Sequence, residues 1–100
     1  MSINFVNTRV SIPSGTRIRL FPGRATFGST VRSAGIAVNG FKLEYDSVDD
    51  HHINEVRVDT QIIGIFGNIV DFHVKCHYTD KTSENPYSGE VVVLVIAETQ

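Results

Sequence analysis

Along most of this chain hydrophobic and polar residues alternate with a period of two. The clearest case is Ile69 to Thr79, where Val70, Phe72, Val74, Cys76 and Tyr78 share one face and Asp71, His73, Lys75, His77 and Thr79 share the other. That pattern predicts an antiparallel strand packed on one side and wetted on the other. Val91-Val92-Val93-Leu94-Val95-Ile96-Ala97 breaks the rule with seven apolar residues in a row, five of them β-branched. A run so short and so β-branched predicts a strand covered on both faces rather than a helix.

Other strands follow from the same period. Val6, Thr8, Val10 and Ile12 alternate, and Pro13 with Ser14-Gly15 predicts the end of that strand and a turn. Thr16 to Leu20 also alternates, which points Ile18 and Leu20 inward and Arg17 and Arg19 outward. Phe21-Pro22-Gly23 should end it, since proline has no N–H for a ladder. Arg24 to Ser33, rich in Gly, Ser, Thr and Arg, reads as a loop or irregular edge.

Ile36 and Val38 share one phase, and Phe41, Leu43 and Tyr45 share another. The phase changes at Asn39-Gly40. A two-residue hairpin turn fits there, and so does a bulge within one long strand. The scarcity of strand-forming residues before Ile36 favours the bulge. Ile53 to Ile62 forms a further strand, with Val56, Val58, Thr60 and Ile62 on one face and Glu55, Arg57, Asp59 and Gln61 on the other. A reversal is expected within Ile63 to Asn68, and polar loops over Asp46 to His52 and Asp80 to Gly89. No stretch carries apolar residues at helical spacing. These elements predict an all-β protein, an antiparallel β-sandwich of about six strands forming one domain over residues 1–100.

Composition narrows the class. With 100 residues, 41% of them hydrophobic, the chain can build a core but buries only a modest share of its surface, so self-association is expected. A net charge of −2 gives no electrostatic case for nucleic acid. The single Cys76 excludes an internal disulfide framework and a Cys-x-x-Cys metal site. Met1 to Phe5 lacks the basic and apolar regions of a signal peptide, and Val91 to Ala97 is too short to span a bilayer. The expectation is a soluble protein without membrane insertion, cytoplasmic or released without a classical signal.

The residues suited to chemistry are few. Asp49-Asp50-His51-His52 has the side chains of a divalent-metal site. Adjacent residues on a strand point to opposite faces, however, and a solvated loop explains the cluster better. His73 and His77 lie four apart on a strand, roughly 13 Å from one another at the usual rise, too far to share a metal. Cys76 falls on the packed face and reads as a core thiol, with neither histidine on its side to activate it. Arg9, Arg17, Arg19, Arg24 and Arg32 precede the first acidic residue, Glu44. They fit an anion-binding patch, or better, a strand face paired with acids from other strands. Tyr45, Tyr78 and Tyr87 lie at or beside loops, and Tyr78 to Tyr87 mixes aromatic rings with Asp80 and Asn85. No nucleophile–base pair or metal set shares one face, so neither an enzyme nor a cofactor is expected.

Phe72 to Thr82, with its Tyr78-Thr79-Asp80-Lys81-Thr82 segment, followed by the strand Val91 to Ala97, resembles the end of the H-type lectin family. That family carries an alternating strand, a Thr-Trp-x-Asp-Thr segment and a final apolar strand. This chain has no Trp, and Ser83 to Gly89 reads as an insertion. The resemblance implies a six-stranded antiparallel sandwich, a trimer, and binding of N-acetylgalactosamine-like sugars at subunit edges. Taken together, the expectation is a non-enzymatic, carbohydrate-binding oligomer using Asp49, Asp50, His51, His52, Tyr78, Asp80, Asn85 and Tyr87. The alternative is a structural or assembly subunit with no small-molecule ligand.

Overall fold

The computed structural model describes residues 2–45, 55–79 and 86–100. Six strands run in order: β1 (Ser2–Gly15), β2 (Arg19–Thr26), β3 (Val31–Tyr45), β4 (Glu55–Phe66), β5 (Ile69–Thr79) and β6 (Tyr87–Thr99). They form two three-stranded antiparallel sheets, ordered β1-β6-β3 and β2-β5-β4. β5 and β6, which bury the most side chains among the described residues, are the central strands. Each is flanked on both sides, so each can use its backbone groups fully while its apolar face is buried.

Val70, Phe72, Val74 and Cys76 of β5 are wholly buried, and so are Tyr87, Val91, Val93, Val95 and Ala97 of β6. Together with Val10, Ile12, Ala25, Phe27 and Val31 they make one apolar cluster drawn from both sheets. The expected alternation is thus reproduced from Val70 to His77, with Tyr78 partly buried. At the hairpin joining β4 to β5, Gly67 takes φ +60° and is followed by Asn68. A left-handed first position is the mark of a type II′ turn, whose twist suits the flanking strands. This tip is bound to the β2–β3 connection: the Phe27 N–H donates to the Asn68 carbonyl (2.8 Å), and the Asn68 side-chain amide donates to the Phe27 carbonyl (2.9 Å).

Asn39-Gly40 is a bulge. β3 runs unbroken past it, with a register shift between Val38 and Gly40. Several sequence expectations need correction. β1 does not stop at Pro13 but continues to Gly15 with an irregular register after Ile12. β2 continues through Phe21-Pro22-Gly23. Both prolines are tolerated because β1 and β2 are edge strands, each paired on one side only, so a missing N–H need not interrupt a ladder. Residues 24–33 are mostly strand: only 27–30 separate β2 from β3, with Phe27 buried.

A further correction concerns direction. Ile18 and Leu20 are exposed, and Arg19 faces the core. Arg17 adopts φ +67°, which resets the phase between β1 and β2. Arg19 then pairs in register with the buried Cys76.

β6 also differs in part from its expected double cover. Val92 and Leu94 are only partly buried and Ile96 is exposed. One face of β6, Val91, Val93, Val95 and Ala97, is buried, and among the described residues the other is at most partly covered. Phe41, read with Leu43 and Tyr45 as one face, is half exposed because β3 is an edge strand. Two of the five arginines meet acids on a neighbouring strand, Arg9 with Glu90 at 3.3 Å and Arg24 with Asp71 at 2.8 Å. Among the described residues no helix is long and apolar enough to cross a membrane.

Candidate binding site

One end of the molecule gathers the aromatic residues. Gly15 at the end of β1, Tyr87 at the start of β6 and Tyr45 at the end of β3 are register partners across one sheet. In the other sheet Arg19 opens β2 opposite Cys76, and Glu55 opens β4 opposite Thr79, where β5 ends. The rings of Tyr45 and Tyr78 stack at 4.8 Å and 29°, joining the two sheets. Tyr87 meets Tyr78 edge-on at 6.0 Å. The ends of β1, β3 and β5 and the starts of β2, β4 and β6 therefore all lie here.

Arg19 is the centre of this arrangement. Its guanidinium lies 4.5 Å from the Tyr87 ring and 5.3 Å from the Phe21 ring. One terminal nitrogen donates to the Pro13 carbonyl at 2.6 Å and the other to the Tyr87 carbonyl at 3.2 Å. Its buried Nε has no acceptor. Aromatic faces and carbonyl oxygens are both favourable partners for a guanidinium. Sequence alternation had turned Arg19 toward water, because period-two patterning carries no mark of a residue with positive φ.

The predicted site residues fall into three groups. Tyr78 lies at this end, partly buried between Tyr45 and Tyr87. Tyr87 is wholly buried, and its hydroxyl faces two carbonyl oxygens, of Arg17 at 2.8 Å and of Cys76 at 3.1 Å. In this chain it is a core residue. Asp49, Asp50, His51, His52, Asp80 and Asn85 lie outside the described residues. Among the described residues no group of three His, Cys, Asp or Glu comes together as a metal set. Cys76 is sealed in the core, and burial pushes its thiol up to about 11, only partly offset by the Arg19 charge.

The exposed face of the β2-β5-β4 sheet carries two shallow depressions. One of about 440 Å³ is bounded by Pro22, Gly23, Arg24, Ile63, Asp71 and Phe72. Its two charged groups, Arg24 and Asp71, are bonded to each other. The other, about 360 Å³, is bounded by Leu20, Asp59, Thr60, Gln61, His73 and Lys75. In comparisons with known proteins the chain matches no family model, no curated protein sequence and no solved structure.

Proposed function

We propose that the two sheets pack face to face as a β-sandwich and that the protein is a non-enzymatic binding module for carbohydrate, working as an oligomer. The observation that carries this reading is the stacked Tyr45–Tyr78 pair at the end where segments 46–54 and 80–85 attach. Aromatic faces pack against the C–H surfaces of sugar rings, and those two segments hold Asp49, Asp50, Asp80 and Asn85 as hydrogen-bonding groups. The shared apolar cluster supports the sandwich. The resemblance of residues 72–82 and 91–97 to H-type lectins points the same way, and the six antiparallel strands agree with the number it implies. A glycan array with the pure protein tests the reading. A saturable glycan signal that falls on Tyr78→Ala is expected, and no hit at millimolar-range affinity overturns it.

The second reading is an assembly subunit, and a separate observation favours it. Phe5, Leu94, Ile96, Gly35 and Ala37 lie in adjoining register on the open face of the β1-β6-β3 sheet, with Phe5 64% exposed. A contiguous apolar sheet face of this kind is suited to another protein surface. Self-association through it is compatible with both readings. Mass measurement in solution separates a monomer from either, and the glycan array then separates the two.

A further inference from the structure

Several polar groups on the exposed face of the β2-β5-β4 sheet are engaged. Arg24 is bonded to Asp71. His73 and Gln61 are register partners and meet at 3.2 Å. Arg57 and His77, the pair at the other side, are also engaged. Between them, Asp59 and Lys75 are register partners too, yet among the described residues neither has an ion pair or hydrogen bond. Two successive cross-strand pairs on one face have the same geometry. The Gln61–His73 pair is closed, while the Asp59–Lys75 pair stands open on a groove of about 360 Å³.

We propose that this groove binds a small zwitterion of the aliphatic α-amino acid type. The ligand carboxylate accepts from the Lys75 ammonium, and the ligand ammonium donates to the Asp59 carboxylate. Leu20 pairs with Lys75 from the other side of β5, so it lies about two strand spacings, roughly 10 Å, from Asp59. A ligand whose charged head sits over Lys75 and Asp59 brings its aliphatic part against Leu20, which is 56% exposed. Gln61 and His73 flank the head with further hydrogen-bonding groups. The groove contains one positive and one negative group, so a ligand with a single charge leaves one of them unmatched. The site is on a different surface from the aromatic end, and its failure leaves the carbohydrate reading standing.

The test is an amide NMR titration of the intact protein with leucine, N-acetylleucine, leucinamide and a methyl glycoside. Leucine is expected to shift the amides of residues 20, 59–61 and 73–75 in a saturable, millimolar manner. Each blocked derivative binds roughly tenfold or more weakly, as expected for loss of a charge-assisted hydrogen bond. Asp59→Asn and Lys75→Met each weaken leucine binding by a similar factor while the rest of the spectrum is kept. The proposal is overturned if leucine gives no saturable shift at tens of millimolar. It is equally overturned if the blocked derivatives match leucine, or if the glycoside moves these amides and leucine does not.

Discussion

Tyr87→Phe separates a core residue from a ligand contact with the loss of one oxygen atom. The ring is 0% exposed, so the smaller hydroxyl-free ring keeps its packing against Arg19 and Tyr78. What is lost is one donor shared by the carbonyl oxygens of Arg17 at 2.8 Å and Cys76 at 3.1 Å. A single hydroxyl proton serves both, so the deletion removes about one net hydrogen bond, roughly 1 kcal/mol. The Arg17 carbonyl also belongs to the residue held at φ +67°, and the hydroxyl helps hold that turn. Allowing for an underbonded carbonyl, the expected loss is about 1–2 kcal/mol. Urea unfolding followed by far-ultraviolet circular dichroism should show a lower midpoint with an unchanged slope. A thermal midpoint should fall by roughly 4–8 °C for each kcal/mol lost in a chain of this size. A stability change below about 0.5 kcal/mol would refute the reasoning. So would an unchanged stability accompanied by lost glycan binding, which would place the hydroxyl on a ligand.

Three further perturbations probe other parts of the fold. The Cys76 thiol titrates near 9.0 when unfolded and is pushed to about 11 in the fold. The unfolded chain therefore releases this proton first, and stability falls as pH rises between those values, by about 1.4 kcal/mol at pH 10. Comparing pH-dependent unfolding of the native chain with Cys76→Ala checks it, since only the native chain should carry this component. Gly89 packs where a Cβ would overlap the Lys42 carbonyl of the neighbouring strand, so Gly89→Ala should cost at least about 3 kcal/mol. Chemical denaturation measures that loss. Ile96→Lys puts a charge in the middle of the open apolar face of β6 and should shift the protein toward monomer in sedimentation analysis while leaving its circular dichroism spectrum unchanged.

Alternation made β5 legible because a half-buried strand writes its two faces directly into neighbouring residues. Val70 to Tyr78 needed no tertiary information. The bulge at Asn39-Gly40 was visible as a phase change, although the sequence there also suited a hairpin. Arg19 was not legible. Its inward turn depends on a positive φ at Arg17 and on aromatic faces brought from β6 and from its own strand, none of which leaves a periodic trace. Tyr45, Tyr78 and Tyr87 could be placed near loops, but only the pairing of strand ends showed that one ring is sealed while the other two stack.

The amino-acid order alone determined that this is a strand protein, which faces of β4 and β5 are apolar, and that β6 is the most apolar strand. Those are local consequences of side chains pointing alternately up and down. Strand neighbours were decided by tertiary structure: β6 sits between β1 and β3, and β5 between β2 and β4. The same folding step decided that two prolines lie on edges, that one arginine is held among rings, and that Asp59 and Lys75 face an open groove. Each of these depends on which distant residues become partners across a sheet, and hydrogen-bonded register, unlike alternation, is a property of pairs of segments rather than of one.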